Sequence, residues 1–404
     1  MGTENTTILT VNAGSSSIKL VLFNTVSLQA LIQTSISNIG QPSAALHWHD
    51  DSGGHSQPIV APDYQTAIGI ILEHLADKLT PDQLHAIGHR VVHGGPDYDQ
   101  PVELTVEVVD ALRKLSAFDP EHLPAALELI EIFRLRFPDV PQIACFDTEF
   151  YHDLPRLAKL LPLPRKYESL GLRRYGFHGL SYTYLLDDFK SIAGLAAANG
   201  RVIIAHLGSG ASLTAIKDGK PVDTTMSFTP ASGIPMSTRS GDIDPGIMHF
   251  LSLEAGMDSN EFNHMVNFES GLLGVSGKSP DMYTLLQSEA DDDFATDAVN
   301  LFCYAVKKAI GALSTTIGGL DSLIFAGGIG ENAPLIRSRV CGRLEYLGIM
   351  LDEGRNQESN FLISSVGSQV GVHVMRSDEA AVIAKQVVAT MSARHPEGGV
   401  DGLD

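Results

Sequence analysis

The chain has 404 residues, of which 44% are hydrophobic and 19% charged, and its formal net charge is −20. This composition is typical of a globular protein long enough for two domains, and the acidic charge argues against nucleic acid or an anionic membrane as a partner. No apolar run approaches the roughly 18 residues of a membrane-spanning helix, the N-terminus has no signal-peptide pattern, and the three cysteines lie too far apart for a disulfide framework or a zinc site. We therefore predict a cytoplasmic protein.

The first notable segment is TILTVNAGSSSIKLVLF, residues 7–23, which predicts a strand, a tight turn and a second strand. Ser15 and Ser17 offer hydroxyl groups in the turn, and Lys19 offers a positive charge on the second strand. Together with the N–H groups of the turn, these side chains suit a polyphosphate. The alternative is an ordinary hairpin with a lysine at its edge.

A histidine-rich stretch, HWHDDSGGH, lies within residues 36–60 and resembles a metal-binding cluster. Alternating residues before a D-D-S-G-G turn are explained more simply by a surface hairpin, and we favour the hairpin. Residues 65–79 follow with an apolar spacing that predicts a helix.

Two short apolar segments, 86–95 and 141–150, predict buried strands. In AIGHRVVHGG, Arg90 lies among apolar residues, where a cation is costly unless it meets a carboxylate or an anionic ligand. In PQIACFDTEF, Asp147 follows the strand at its C-terminal end, where open α/β sheets usually bind ligands. A helix cap is the alternative role for Asp147.

The middle of the chain contains RRYGFHGLSY, in which His178 precedes a helix predicted to begin near Ser181. A lone histidine at such a place is more often a core residue than a catalyst. VIIAHLGSGAS, residues 202–212, predicts a buried strand that opens into a glycine loop, whose N–H groups can approach a phosphate. Taken alone, this loop is more typical of an ordinary strand connection. Arg239 follows in STRSGDIDPG, among hydroxyl residues.

Residues 296–317 predict a helix rich in Ala, Ile and Val. SLIFAGGIGEN, residues 322–332, predicts a third strand that runs into glycines and opens a helix near Pro334, which suits a flat or phosphorylated ligand. RSDEAAVIAKQVV, residues 376–388, predicts a last helix with Glu379 in its cap region. The three strand–glycine units, at 8–20, 202–215 and 322–332, indicate a duplicated α/β architecture with a ligand cleft between its halves.

The motifs occur in the order VNAGSSSIK, GHRVVHGG, FDT, RRYGFHG, AHLGSGAS, FTP with TRSGDIDP, SGLLGVSG, GGIGEN with LEYLGI, and Asp-Glu at 378–379. As a set, from Ile8 to Val388, they resemble the acetate and propionate kinase family of the sugar kinase, Hsp70 and actin superfamily. The resemblance implies two duplicated actin/RNase H-like domains with an active-site cleft between them. Residues 1–149 with 381–404 would form the first domain, closed by the C-terminal helix, and residues 150–380 the second, with most of the nucleotide site.

The resemblance implies direct, in-line and reversible phosphoryl transfer from ATP to acetate, giving acetyl phosphate and ADP. It further implies Mg²⁺, or Mn²⁺ in its place, and a homodimer. Matched by motif, the implied catalytic residues are Asp147, His178 and Arg239, the acid-binding residues are Arg90, Val92, Phe177 and Pro230, and the metal-binding residues are Asn12 and Glu379. The implied phosphate and nucleotide residues are Ser15, Ser17, Lys19, His206, Leu207, Gly208, Ser209, Gly210, Asp281, Met282, Tyr283, Gly328, Ile329, Gly330, Glu331 and Asn332.

Phosphoryl transfer needs positioning and positive charge more than covalent help, and the arginines, the histidine and the metal would supply both. Acetate is already ionised at neutral pH, so we infer that Asp147 organises Arg90 or the shell of the metal and does not act as a base.

The sequence departs from the common family pattern at several positions. Glu121 and Leu123 flank His122 in place of Leu and Asn, Ser209 replaces Asn, Tyr283 replaces Arg, and Arg376-Ser377 replaces Pro-Thr. Glu121 would adjoin the acyl pocket, so a kinase that prefers propionate or butyrate is the alternative substrate class. A nucleotide-binding ATPase of the Hsp70 or actin type is the alternative from another functional class, but it has no need of two arginines and a histidine for an acceptor.

Overall fold

The computed structural model of the chain describes residues 6–14, 17–50, 53–76, 79 and 83–394. Ser15, which the sequence predicts at a phosphate, lies outside these residues. The chain divides into two compact units, Met1–Glu149 with Asp378–Asp404, and Phe150–Ser377.

In the described residues the strands are, in chain order, Thr7–Ala13 (β1), Ile18–Asn24 (β2), Ala30–Ser37 (β3), Ala45–Asp50 (β4), Gly53–Pro58 (β5), Leu84–Val91 (β6), Val102–Glu103 (β7), Gln142–Phe146 (β8), Val202–Leu207 (β9), Ala211–Lys217 (β10), Lys220–Thr224 (β11), Ser322–Ala326 (β12) and Gly371–Val374 (β13). The α-helices are Tyr64–His74 (α1), Val106–Lys114 (α2), Leu123–Arg136 (α3), Arg156–Lys159 (α4), Gly179–Ala193 (α5), Leu195–Ala198 (α6), Gly246–Glu254 (α7), Ser259–His264 (α8), Gly271–Ser276 (α9), Met282–Ser288 (α10), Asp293–Thr316 (α11), Gly327–Asn332 (α12), Pro334–Cys341 (α13), Glu353–Gln357 (α14) and Glu379–Arg394 (α15).

The first unit contains a sheet in the order β5-β4-β3-β2-β1-β6-β8-β7, in which β1, β6 and β8 are parallel neighbours. Alternate residues of β2 face opposite layers, as expected for a strand buried on both sides. Leu20 and Leu22 pack in the core that contains α1, whereas Val21 and Phe23 pack with Ala380 of α15. The sheet therefore lies between two helical layers.

The second unit contains a smaller sheet in the order β11-β10-β9-β12-β13, in which β9, β12 and β13 are parallel neighbours. The apolar run of β9 is fully buried, and Val202 and Ile204 pack with Tyr182 and Phe189 of α5. The long helix α11 contacts β9, β10 and β11.

The two sheets share one topology. The order β3-β2-β1-β6-β8 in the first unit corresponds to β11-β10-β9-β12-β13 in the second, with three antiparallel strands followed by two parallel ones in both. This correspondence agrees with the duplicated α/β architecture predicted from the strand–glycine units.

The histidine-rich stretch forms the predicted hairpin, because β4 and β5 pair antiparallel from Ala45 to Pro58. Its Trp48 ring stacks on His55 with the ring centroids 5.0 Å apart. In the described part of the chain, no group of three or more His, Cys, Asp or Glu side chains is placed to hold a metal ion, and no helix is long and apolar enough to cross a membrane.

The third strand–glycine unit contains the predicted helix start, because α13 begins at Pro334. The sequence did not predict a helix in the glycine run itself, which forms α12 and ends before a break at Ala333. Glycine has a low helix propensity, so contacts must stabilise this segment. Glu331 Oε1 accepts a hydrogen bond from Gly327 N at 3.1 Å, and Arg337 donates to the carbonyl groups of Gly330 and Glu331.

Candidate active site

The first unit brings together four of the predicted site residues at one edge of its sheet. Asn12 lies near the C-terminal end of β1, Arg90 near that of β6, and Asp147 directly after β8. Since these strands are parallel neighbours, their C-terminal ends meet at one edge, where ligands bind in open α/β sheets. Glu379, the first residue of α15, completes the group.

The contacts in this cluster are ionic and directional. Arg90 donates from Nε to Asp147 Oδ1 at 3.0 Å and from Nη2 to Oδ2 at 2.6 Å, so the pair is bidentate. Arg90 Nη1 donates to Asn12 Oδ1 at 3.1 Å, and Asn12 Nδ2 donates to Glu379 Oε2 at 2.7 Å. The Asp147 side chain is 1% exposed and that of Arg90 16%, so the ion pair is largely removed from water.

The cluster of Asn12, Arg90, Asp147 and Glu379 contains two carboxylates and one guanidinium, so its net charge favours the binding of a cation. Burial disfavours the charged form of Arg90, but the carboxylates of Asp147 and Glu379 outweigh it and raise the pKa of the guanidinium. Two carboxylates thus surround one arginine. Carboxylate and amide oxygens are hard donors of the kind that Mg²⁺ prefers, and Mg²⁺ usually takes only one or two carboxylates and completes its shell with water and phosphate oxygens. Asn12 and Glu379 fit that donor set.

Three further predicted site residues of this unit, Ser17, Lys19 and Val92, are close in sequence to Asn12 or Arg90. Lys19 of β2 pairs in register with Asn12 of β1. The carbonyl group of Ser17, at the end of the turn before β2, accepts a hydrogen bond from Gly14 N at 2.9 Å. Val92, two residues after Arg90, is 8% exposed.

The second unit positions His178 through a hydrogen-bonded chain. His178 precedes α5 in a left-handed conformation, with φ at 60°. Its Nδ1 lies 2.9 Å from Ser212 Oγ, which lies 2.6 Å from the hydroxyl of the buried Tyr182. Burial raises the pKa of Tyr182, so this hydroxyl keeps its proton and serves as a donor. In a chain that runs from the Tyr182 hydroxyl to Ser212 and from Ser212 to His178 Nδ1, the imidazole proton lies on Nε2.

The side chains of His178 and Arg239 both lie next to Gly210. A methyl group built on Gly210 would lie 3.1 Å from His178 Nε2 and 3.5 Å from Arg239 Nη1, so this glycine leaves room between the two side chains. Arg239 Nη1 contacts the carbonyl group of Pro230 at 3.4 Å. Phe177 is buried directly before His178.

His206 of β9 lies beside this group. Its ring centroid is 4.5 Å from that of His178, and its Nδ1 is 2.8 Å from Ser181 Oγ. Ser377 Oγ in turn donates to Ser181 Oγ at 2.8 Å. The sequence analysis gave no site role to Ser181, Ser212, Ser377 or Tyr182. The RRYGFHGLSY and AHLGSGAS motifs nevertheless contain all five residues of the two hydrogen-bonded sets, Tyr182–Ser212–His178 and His206–Ser181.

A pocket of about 550 Å³ opens beside the same glycine loop. Of the predicted nucleotide residues, it is lined by Gly208, Ser209, Asp281, Met282, Tyr283, Gly328, Ile329 and Asn332. Further lining residues that the sequence analysis did not single out are Ser237, Leu286, Gln287, Ala333, Pro334, Leu335 and Gln357. The sequence offered a signal for Ser237, because this residue is the first of the STRSGDIDPG loop. In the structure its N–H donates to Ser209 O at 3.1 Å.

The other predicted nucleotide residues of this unit occupy different places. Leu207 and Gly330 are buried, and Glu331 turns back to the N–H of Gly327. His206 and Gly210 belong to the group around His178.

Known proteins resemble this chain over nearly its whole length. The model of the acetokinase family matches residues 7–385. The chain belongs to the acetokinase family. It is 40% identical over 388 residues to an acetate kinase from Rhodopseudomonas palustris, covering 94% of this chain and 97% of that protein. It is also 40% identical over 386 residues to a propionate kinase from Escherichia fergusonii, covering 94% and 96%.

The fold matches as well. The crystal structure of a propionate kinase from Francisella tularensis subsp. tularensis SCHU S4 superimposes with a TM-score of 0.87 at 34% identity, covering 94% of this chain and 98% of that one. The predicted family and fold class are therefore confirmed. So is the enzyme class, since members of the acetokinase family are phosphotransferases with a carboxyl group as acceptor and act on small molecules.

Proposed function

We propose that the protein catalyses the reversible transfer of the γ-phosphoryl group of ATP to acetate, giving acetyl phosphate and ADP. The observation that carries this proposal is the placement of His178 and Arg239 around Gly210, in the loop whose Gly208 and Ser209 line the pocket. Two positively polarised groups next to a pocket of nucleotide size suit a phosphoryl group held at the end of a nucleotide.

The proposed reaction is a direct, in-line transfer. A carboxylate oxygen of acetate attacks the γ-phosphorus, the bond from that phosphorus to the β–γ bridging oxygen breaks, and ADP leaves with the bond electrons. Charge on the equatorial oxygens must be stabilised in the transition state, and Arg239 and His178 Nε2–H are the donors placed for it. The contact between Ser212 Oγ and Nδ1 supports this role, because donation from Ser212 would keep the His178 proton on Nε2.

Arg90 is the proposed partner of the carboxylate substrate. Because acetate is ionised at neutral pH, the reaction releases no proton from the nucleophile and requires no base. The bidentate contact supports a positioning role for Asp147, which orients the Arg90 guanidinium and balances its charge when the site is empty of substrate. Val92, Phe177 and Pro230 are proposed to contact the methyl group.

Mg²⁺ is the proposed metal, with Mn²⁺ as a substitute, and Asn12 and Glu379 would hold it directly or through water. The bound ion would neutralise charge on the phosphates. Lys19 and Ser17 are proposed to contact phosphate oxygens from the adjoining hairpin, together with Ser15. The cytoplasmic location and the domain boundaries stay predictions.

Propionate is the second candidate acceptor. The chain is as similar to a propionate kinase as to an acetate kinase, at 40% identity to both. The resemblance places Glu121 next to the pocket for the acyl group. Glu121 precedes His122 in the chain, and His122 Nδ1 lies 2.8 Å from the buried carboxylate of Asp119. One methylene group changes selectivity by only about 1–3 kcal/mol, so a single contact in the pocket can decide the preference.

A hydroxamate assay tests the proposal. The purified protein is incubated with Mg²⁺, hydroxylamine and acetate, propionate or butyrate, with ATP, GTP or pyrophosphate as the donor. We expect acyl hydroxamate with ATP and acetate, and kcat/KM across the three acids ranks the acceptors. ATP hydrolysis without hydroxamate from any acid would instead support a nucleotide-dependent ATPase.

We also infer a homodimer formed through the second unit. The support is α7, a largely apolar helix without a single buried residue in the isolated chain. Phe250 is 61% exposed and Leu253 71%. Contiguous exposed apolar side chains typically mark an interface, and the resemblance to a dimeric family makes a second copy the expected partner.

A further inference from the structure

Arg337 of α13 is a fully buried arginine with no place in the proposed chemistry. Its side chain has no exposed surface and is among the largest fully buried side chains of the chain. Burial lowers the pKa of the guanidinium to about 10, so it still carries its charge at neutral pH. A buried cation is costly, and an apolar side chain of similar length would fill the same volume without that cost. The contacts of Arg337 must therefore explain its presence.

All of its hydrogen bonds end on neutral acceptors in two segments. Nη1 donates to the carbonyl groups of Gly330 at 2.8 Å and Glu331 at 2.9 Å. Nε donates to Asn356 Oδ1 at 2.8 Å, and Nη2 donates to Asn356 O at 2.6 Å and to Ser359 Oγ at 2.9 Å. One guanidinium thus connects the C-terminal carbonyl groups of α12 to the end of α14.

Asn356 extends the connection to a third segment. Its Nδ2 lies within hydrogen-bond distance of Pro334 O at 3.0 Å, Ser338 Oγ at 2.8 Å and Glu353 Oε2 at 3.1 Å. Arg337 and Asn356 together therefore hold α12, the start of α13 and the end of α14 against one another.

These three segments supply one wall of the nucleotide pocket. From α12 come Gly328, Ile329 and Asn332, from the start of α13 come Ala333, Pro334 and Leu335, and from α14 comes Gln357. The six residues of α12 include three glycines, and the last carbonyl groups of a helix lack partners within the helix. The guanidinium satisfies two of those carbonyl groups. Without it, the wall would lose the contacts that set its position.

We propose that Arg337 is a positioning residue for the nucleotide, because it fixes the relative placement of α12 and α14 in the wall of the pocket. The proposal rests on the proposed function only in taking the ligand of this pocket to be ATP or ADP. It predicts that removal of the guanidinium weakens nucleotide binding and leaves the binding of the carboxylate substrate nearly unchanged.

The test compares Arg337→Met and Arg337→Lys with the unaltered protein. The dissociation constant of Mg-ADP is measured by calorimetry, and KM is measured separately for ATP and acetate. We expect Arg337→Met to weaken Mg-ADP binding by about tenfold or more, since displacements of about 1 Å cost up to 10²-fold in well-ordered sites. Arg337→Lys keeps the charge and part of the hydrogen bonding, so it should recover part of the loss. The KM for acetate should stay within about twofold.

Arg201→Met is the matched control. Arg201 also belongs to the second unit and is ion-paired, donating from Nε to Asp321 Oδ2 at 3.0 Å, but it precedes β9 at the end of the strand away from the glycine loop. The Arg201→Met substitution should lower the melting temperature without changing the affinity for Mg-ADP. Unchanged Mg-ADP affinity in Arg337→Met, with only a lower melting temperature, would overturn the proposal.

If Arg337→Met is insoluble, Arg337→Lys and Ser359→Ala decide, because Ser359→Ala removes one acceptor and keeps the guanidinium. Equal Mg-ADP affinity in both of these variants and the unaltered protein would also overturn the proposal. Because ADP binding is measured directly, a protein that binds ADP but phosphorylates no acid would contradict the proposed function and leave this test valid.

Discussion

At the scale of single residues, the arginines differ in what holds them. Arg90 is fixed by a bidentate carboxylate, whereas Arg239 Nη1 contacts neutral acceptors, Pro230 O at 3.4 Å and Met236 Sδ at 3.8 Å. Arg239 Nη1 also lies 3.5 Å from a methyl group built on Gly210, and His178 Nε2 lies 3.1 Å from the same methyl group, so the Arg239 charge is close to the glycine loop of the pocket. We therefore assign the larger effect on the chemical step to Arg239.

Arg239→Ala should lower kcat by roughly 10²–10³, by analogy with removal of one oxyanion donor. The KM for ATP should change much less, because the pocket residues remain in place. Steady-state kinetics with ATP and acetate check this. A loss under about threefold would remove Arg239 from the chemistry.

Asp147→Asn should lower kcat/KM for acetate by roughly 10–100-fold, the usual effect of removing a group that orients a ligand-binding residue. The amide cannot form the charged bidentate pair, so Arg90 loses its orientation. Asp321→Asn is the matched control, because it breaks the ion pair with Arg201 at a more exposed place and should leave kcat/KM near its original value. If kcat/KM for acetate and the Mg²⁺ affinity of Asp147→Asn both stay near those of the unaltered protein, with kcat also unchanged at saturating Mg²⁺, the positioning role is wrong.

The site residues that the sequence could indicate are those whose local pattern is unusual. Arg90 in an apolar strand and Asp147 after a buried strand are both visible in this way, and the structure brings them into contact. The chain from Tyr182 through Ser212 to His178 is not visible, since its hydrogen bonds join residues about 30 positions apart that have ordinary local surroundings. Arg337 could have been noticed by the argument used for Arg90, because it lies among the apolar residues of a short helix.

At the scale of elements, α15 is the helix on which the proposed metal site depends, because it begins with Glu379. Its position against the sheet is set at Gly88 of β6, where a methyl group would lie 2.4 Å from Ile383 Cγ2 and 2.6 Å from Val387 Cγ2. Both neighbours are β-branched and have little rotational freedom. Only glycine allows the helix to lie this close.

Gly88→Ala should therefore destabilise the protein by about 1–3 kcal/mol, the usual cost of inserting a methyl group into a well-packed core. If α15 shifts to relieve the contact, Glu379 moves with it, so the Mg²⁺ concentration for half-maximal activity should rise. Thermal unfolding and Mg²⁺ titrations check both effects.

Gly69→Ala is the control for this prediction. Gly69 lies within α1, and a methyl group there meets no atom within 4 Å. Replacing a helical glycine in open space should stabilise the protein by about 0.5–1 kcal/mol. Equal effects of the two substitutions would contradict the close-packing argument.

The elements with strong periodicity were predictable, and the glycine-rich one was not. The strands β1, β2, β6, β8, β9 and β12 and the helices α1 and α11 lie where the sequence predicts them, with ends that differ by a few residues. The helix α12 was not predicted, because its glycines have a low helix propensity. Its helical conformation depends on a side-chain hydrogen bond within the helix, from Gly327 N to Glu331, and on the contacts from Arg337 of α13.

At the scale of the whole molecule, the exposed face of α7 makes the oligomeric state testable. The chain has a mass of 43.3 kDa, so light scattering should give about twice this value for the unaltered protein. Phe250→Asp should shift the mass to that of one chain, because a carboxylate replaces an exposed aromatic ring at the inferred interface. Leu195→Asp, at another exposed apolar residue with 56% exposure, should leave the mass unchanged. A monomeric unaltered protein would contradict the inferred dimer.

Among the described residues, each unit contains a buried histidine whose lowered pKa makes the stability of the molecule sensitive to acid. Burial lowers the pKa of His89 in β6 and of His373 in β13 to about 4 in both cases. An unfolded histidine has a pKa of about 6.5, so the unfolded chain binds more protons than the folded one between about pH 6.5 and pH 4. The stability associated with the neutral histidines is therefore complete above about pH 6.5 and is lost as the pH falls towards 4.

From these values, each histidine should reduce the free energy of unfolding by about 2 kcal/mol between pH 7 and pH 5. His89→Gln should remove its share, so the urea midpoint should fall less between pH 7 and pH 5 than in the unaltered protein. His85→Gln is the matched control, since His85 is an exposed residue of the same strand. It should leave the pH dependence as it is. The same pH dependence in His89→Gln as in His85→Gln would show that the buried imidazole does not cause the loss of stability in acid.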